Sequence, residues 1–185
     1  MALVLLTGGA RSGKSRLAVE LAAARRRPVV VVVTAEAADD EMAERIRRHQ
    51  RERPPQWTTV EETLDLEGAL ARVPADSVVL VDCLSLWVAN LLTRELPDEE
   101  VETRARSAAA RAAARAAGAI AVTNEVGSGV VPANPLGRRY RDVLGRVNAI
   151  WAGAADQAAL VVAGRLLPLS APEQVWSEDR GWTTS

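Results

Sequence analysis

Gly8-Gly9-Ala10-Arg11-Ser12-Gly13-Lys14-Ser15 is a complete GxxxxGKS phosphate loop, and the apolar run Leu3 to Leu6 leads directly into it. The glycines let the backbone curl so that successive N–H groups point at phosphate oxygens. A helix expected from Lys14 onward, amphipathic through Leu17, Ala18, Leu21 and Ala22, adds the positive end of its dipole. In such a loop Lys14 reaches the β and γ phosphates. Ser15 offers a hydroxyl to Mg²⁺, a hard cation that keeps several waters and takes oxygen ligands. The stretch therefore selects a nucleoside triphosphate as the first ligand to consider and a strand-loop-helix as the first unit of the fold.

Outward from this unit, short β-branched runs alternate with longer helical patterns. Strands are expected at Leu3 to Leu6, Val29 to Thr34, Ser77 to Asp82, Ala119 to Thr123 and Ala158 to Ala163. Helices are expected at Lys14 to Arg25, Asp39 to Glu52, Leu84 to Arg94, Asp98 to Ala117 and Leu136 to Ala154. This alternation implies βαβ units, hence an α/β fold with a mostly parallel sheet and helices on both faces. The Arg/Ala-rich piece Ala105 to Ala117 reads as an ordinary outer helix, because both residues are strong helix formers. Residues 1–167 are expected to form one domain. Residues 168–185, with Pro172, Trp176 and Trp182, read as an irregular tail whose tryptophans pack onto something.

The totals agree with one domain: 185 residues bury a real core but do not suggest two domains of ordinary size. With 48% hydrophobic residues and a net charge of −1, neither general disorder nor a globally polyanion-binding surface is indicated, so no nucleic acid partner is expected. The single cysteine, Cys83, excludes an intrachain disulfide and a Cys-rich zinc site. Ala2 to Leu6 lacks the basic segment of a signal peptide, and no stretch has the length and apolarity of a membrane span. A soluble cytoplasmic protein is the expectation.

In open parallel sheets the ligand sits beyond the carboxyl ends of the strands. Here those ends are polar: the phosphate loop, then Thr34-Ala35-Glu36, then Asp82, then Thr123-Asn124-Glu125. Asp82 closes the run Val78 to Val81 in the manner of the acidic residue that holds Mg²⁺ in phosphate-loop enzymes, although a strand-terminal Asp can equally cap the next helix. Glu125 could orient a nucleophile, join the metal shell or simply bond a neighbouring loop. His49, the one histidine, stands among Arg45, Arg47, Arg48, Arg51 and Arg53. If the helix persists, Arg45 and Arg53 share its face, and Glu41/Arg45 and Glu44/Arg48 form stabilising i,i+4 pairs. A cationic neighbourhood favours the neutral imidazole, the form able to attack phosphorus. Residue types alone also allow an ordinary surface histidine. A third segment runs Thr123-Asn124-Glu125-Val126-Gly127-Ser128-Gly129-Val130-Val131-Pro132 and on to Asn134, Arg138, Arg141-Asp142, Gly145 and Asn148. It describes a shaped loop and a polar helix face, which could be functional or merely solvated.

With these segments in place, the chain closely resembles the bifunctional adenosylcobinamide kinase/adenosylcobinamide-phosphate guanylyltransferase family of cobalamin biosynthesis. The resemblance rests on TGGARSGKS, DDEMAERIRRHQRERPPQW, the Asp82-Cys83 strand end and TNEVGSGVVPANPLGRRYRDVLGRVN, and it spans about Leu3 to Gly164. It implies a RecA-like phosphate-loop NTPase fold and two reactions. Adenosylcobinamide is phosphorylated on its aminopropanol hydroxyl with ATP or GTP. GTP then transfers GMP to a histidine with release of pyrophosphate, and adenosylcobinamide phosphate takes up the GMP to give adenosylcobinamide-GDP. The guanylylated histidine falls on His49. Nucleotide contacts fall on Gly8, Gly9, Ala10, Arg11, Ser12, Gly13, Lys14 and Ser15, on Thr34, Ala35 and Glu36, on Gln50, Arg51, Glu52 and Arg53, and on Glu61 and Asp82. Ser15 and Asp82 are the implied metal residues, Lys14 joins His49 in catalysis, and a homotrimer is the implied assembly. The alternatives are a simple phosphate-loop kinase or NTPase without covalent guanylylation, and a nucleotide-gated regulatory protein.

Overall fold

The computed structural model describes residues 3–36, 40–51 and 53–172, with the backbone alone at positions 41, 42, 45, 46, 48 and 49. In chain order the elements are β1 (Leu3–Gly8), α1 (Lys14–Ala24), β2 (Val29–Val33), α2 (Asp40–Arg51), β3 (Thr58–Glu61), α3 (Leu66–Arg72) and β4 (Val78–Asp82). There follow α4 (Leu84–Thr93), α5 (Asp98–Ala113), β5 (Ala119–Val122), α6 (Pro135–Ala154), β6 (Gln157–Val162) and β7 (Arg165–Leu169). Among the described residues the strands form one sheet in the order β3-β2-β4-β5-β1-β6-β7, parallel throughout except for the antiparallel pair β6 and β7. This is the α/β phosphate-loop NTPase architecture expected from the sequence.

The central strands are buried on both sides, which is why they read as unbroken apolar runs rather than alternating ones. Along β2, Val30 and Val32 join one core while Val29, Val31 and Val33 join the other. The larger core packs α3, α4, α5 and α6 onto the sheet through Leu70, Trp87, Val101, Val147 and Trp151. Ala105, Ala108, Ala109 and Ala112 give α5 its buried stripe, so the low-complexity piece is a packed helix, its outer Arg104 and Arg106 paired with Glu100 and Glu102. On the opposite face α1 buries Ala18 and Ala22.

Three elements were not foreseen. Strand β3 is a short edge strand, TTVE, whose side chains are mostly exposed, so it lacks the apolar run that marks a strand. Helix α3 is seven residues long and is started by Asp65, whose carboxylate accepts the Gly68 N–H at 2.9 Å. Strand β7 includes Pro168 and Leu169, which the sequence had assigned to the tail. A proline fits there because β7 is an edge strand with one neighbour, so its missing N–H removes no ladder bond. Trp176 and Trp182 lie outside the described residues.

Candidate active site

The strands deliver their carboxyl ends to one edge of the sheet: Val33 is in register with Asp82, and Asp82 with Val122. At that edge Gly8 closes β1 where a Cβ would collide with the carbonyl oxygen of Val161 on β6, so no other residue fits. Gly13 caps α1 with φ +96°, the left-handed region that glycine enters without penalty. Between them Ser12 N–H donates to the Gly9 carbonyl at 3.3 Å, and Lys14, 8% exposed, folds back to donate from Nζ to the same carbonyl at 2.9 Å. The ammonium thus lies across the loop rather than out in solvent. Ser12 Oγ is buried without a hydrogen-bond partner among the described residues.

Two strands over, beyond β5, the end of β4 is held from two sides. The Thr34 hydroxyl donates to the Cys83 carbonyl at 2.6 Å and accepts the Cys83 N–H at 3.0 Å, while its own carbonyl accepts the Asn90 amide at 2.7 Å. Thr34 is fully buried, so its side chain braces Asp82-Cys83, while Ala35 and Glu36 are half-buried, Ala35 against the smaller core. Glu36 is paired with Arg94 at 2.8 Å. Glu61 is an exposed residue at the end of β3, in register with Val33. Cys83 has its thiol 3.0 Å from Ser85 Oγ, and burial pushes that thiol up from its ordinary pKa, with the adjacent Asp82 carboxylate adding to the effect. That is the behaviour of a core residue and not of a nucleophile.

Helix α2 differs from its expected form at one functional point. It ends at Arg51, and Arg53 lies beyond it, because Pro54 disfavours helical geometry in the residue before it. Arg53 therefore does not share a helical face with His49. Its Nη2 instead reaches Asp82 Oδ2 at 2.7 Å, with the two side chains 6% and 13% exposed. Glu44 pairs with Arg47 at 2.9 Å and with Arg51 at 2.6 Å, while the pair expected with Arg48 lies outside the described side chains. The side chains of His49, Arg45 and Arg48, and the whole of Glu52, lie outside the described residues; the backbone of His49 is in the last turn of α2. Gln50 is exposed.

The polar residues after β5 are largely structural. Asn134 caps α6 by accepting the Gly137 N–H at 2.6 Å, and Arg138 donates to the carbonyls of Pro132 and Ala133 at 3.1 and 2.7 Å. Glu125 turns onto its own loop and accepts the Gly127 N–H at 2.6 Å. Asn148 is the crosslink between α6 and the strand end, accepting from Thr123 Oγ1 at 2.7 Å and donating to the Asn124 carbonyl at 2.9 Å. The Asn124 amide in turn donates to Ser85 Oγ at 3.1 Å, and the Tyr140 hydroxyl to the Ser85 carbonyl at 3.2 Å. Ser85 and Tyr140 were not singled out in the sequence, where they look like ordinary helix residues. Beyond this network the loop exposes Val130, at 96%, and Val131.

Among the described residues, no three His, Cys, Asp or Glu side chains cluster to hold a metal by themselves, and no helix is long and apolar enough to cross a membrane. The edge thus gathers a phosphate loop, a lysine laid over it, and a carboxylate joined to the chain just past α2. Comparison with known proteins agrees. The profile of the family described as cobinamide kinase / cobinamide phosphate guanyltransferase matches residues 4–169. The bifunctional adenosylcobalamin biosynthesis protein CobP of Pseudomonas aeruginosa is 42% identical over 166 residues, covering 89% of this chain and 95% of its own. The corresponding CobU protein of Escherichia coli is 39% identical over 175 residues, covering 88% and 96%. Among solved structures, a prototypical ATPase from the type III secretion system of pathogenic bacteria aligns with a TM-score of 0.49 at 13% identity, over 86% of this chain and 50% of that longer one. The chain belongs to the cobinamide kinase / cobinamide phosphate guanyltransferase family and is a bifunctional enzyme of adenosylcobalamin biosynthesis.

Proposed function

We propose that this chain first phosphorylates the aminopropanol hydroxyl of adenosylcobinamide with ATP or GTP, and then transfers GMP from GTP through His49 to the resulting phosphate, giving adenosylcobinamide-GDP and pyrophosphate. The observation that carries this reading is the shared sheet edge: the phosphate loop and Asp82 stand at the ends of two strands separated only by β5, and the segment following the histidine-bearing helix is tied to that same Asp82. The residues from Gly8 to Ser15 would hold the phosphates through backbone N–H groups, and the buried, unpartnered Ser12 hydroxyl suits an anionic ligand. Lys14 would leave the Gly9 carbonyl for the phosphates and stabilise charge developing there.

Ser15 and Asp82 are hard oxygen donors that fit Mg²⁺, which completes its shell with water and phosphate. Bound there, it would neutralise charge on the phosphates. Ala35, Glu36, Glu61 and residues 50–53 complete the proposed nucleotide contacts, with Thr34 contributing by positioning. A neutral His49 would accept the GMP, dividing a difficult exchange into two displacements. The exposed Val162, Leu166, Leu167 and Leu169 of the β6–β7 hairpin support a homo-oligomer, which we take to be a trimer working in the cytoplasm. Incubation with GTP labelled on its α phosphate tests the reading: covalent, acid-labile label should form with release of pyrophosphate and be absent in His49→Ala. Nucleotide binding without label would leave a simple kinase or NTPase.

A further inference from the structure

The buried ion pair between Arg53 and Asp82 uses a carboxylate that the proposed metal site also needs. Arg53 offers five N–H donors in a rigid plane. Its Nη2 is spent on Asp82 Oδ2 at 2.7 Å, whereas its Nη1 is buried and has no hydrogen-bond partner among the described residues. An unused donor on a buried cation is costly, and it is a donor suited to the planar, oxygen-rich face of a phosphate. Arg53 N–H donates to the Gln50 carbonyl in the last turn of α2 at 3.2 Å, and four residues on, Trp57 N–H donates to the Pro54 carbonyl at 3.1 Å and its ring packs against the smaller core.

We propose that Arg53 is an exchangeable partner of Asp82: on arrival of a metal-bound nucleotide at the phosphate loop, the guanidinium gives up the carboxylate and transfers to a phosphate oxygen. Asp82 would then help to hold a divalent ion, and the guanidinium would pair with the phosphates. This inference rests on the nucleotide site proposed above.

The test is a binding cycle read by titration calorimetry with GDP in EDTA and with Mg²⁺·GDP, on the unmutated full chain, Asp82→Asn, Arg53→Gln and the double variant. In EDTA, Asp82→Asn should bind GDP about tenfold more tightly than the unmutated chain, the worth of roughly one charge-assisted hydrogen bond, because its guanidinium is already released. The gain should fall below about twofold in the Arg53→Gln background. A gain of equal size in both backgrounds overturns the exchange, since it then reports only lost repulsion between carboxylate and phosphate. If Arg53→Gln does not fold, arginine side-chain ¹⁵N spectra carry the same test. The arginine signal displaced by Asp82→Asn should be displaced in the same direction by Mg²⁺·GDP in the unmutated chain, and its failure to move overturns the exchange. Absence of GDP binding in every chain would instead remove the nucleotide site itself.

Discussion

Gly164 donates its backbone N–H to the Ser12 carbonyl at 2.8 Å, so the turn between β6 and β7 holds the middle of the phosphate loop. The two segments are also in close steric contact, since a Cβ on Gly13 would stand 3.3 Å from Gly164 Cα. Gly164 has φ +74°, which a β-branched side chain tolerates poorly and asparagine far better. Gly164→Val should therefore weaken nucleotide binding by about tenfold, a cost on the scale of one strained backbone residue, whereas Gly164→Asn should stay close to the unmutated chain. Calorimetric titration with GTP checks both.

Thr34 offers a cleaner dissection of scaffold from ligand contact. Thr34→Val keeps the shape but strips the hydroxyl that serves both the N–H and the carbonyl of Cys83, at an expected cost of about 1–3 kcal/mol in urea unfolding. Thr34→Ser should recover most of it. Equal loss in both variants would mean that the methyl group, not the hydroxyl, matters.

Lys14→Ala should lower the rate of both half-reactions by roughly 10²–10³-fold, the range for removing one preorganised group that meets developing charge. The two products, phosphorylated and GDP-linked corrinoid, are followed separately. A rate loss confined to one product would show that the phosphate loop serves that step alone.

Two buried groups set an alkaline limit. Burial pushes the Tyr140 hydroxyl up to about 12, and Tyr140 is the sole tyrosine, so ultraviolet titration of the native protein should lack a step near the ordinary 10.0. The Cys83 thiol is likewise raised. A raised pKa on a group that is neutral when protonated contributes stability in full below the unfolded value, 9.0 for the thiol, and loses it as pH climbs through the native value. Native protein at pH 8 should consequently react with a thiol-specific disulfide reagent only after unfolding.

The apolar outer face of the hairpin predicts association. Leu167, on the edge strand β7, is exposed, and Leu167→Glu should move the sedimentation coefficient toward that of a monomer without lowering thermal stability of the isolated chain. An unchanged coefficient would place any subunit interface elsewhere.

The fold was readable where residues are buried on both sides of the sheet. Val29–Val33 and Val78–Asp82 announce themselves because nothing polar interrupts them, and the phosphate loop because its chemistry demands glycine, lysine and serine at fixed spacing. Strand β3 and helix α3 were invisible because one is an exposed edge and the other a single short capped element. At the site, local spacing placed Arg53 beside His49, but Pro54 ended the helix first and the guanidinium found a partner 29 residues away. Thr34 was recognised as a strand-end residue, but its commitment to Cys83 depends on β2 and β4 being neighbours, which no local pattern encodes.

The phosphate loop is synthesised well before the segments that complete it. Leu3 at the start of β1 exchanges backbone and carboxylate bonds with Asp156, Gly8 is shaped to clear Val161, and Ser12 waits for Gly164. All of these partners leave the ribosome some 150 residues after the motif they support. A nascent chain stalled before residue 156 would thus carry an intact motif without β6, the second strand partner of β1, and nucleotide could not act as an early folding template. Binding competence should emerge late and abruptly, once the closing hairpin is released, which makes nucleotide retention on arrested chains of graded length a direct reading of when this enzyme becomes whole.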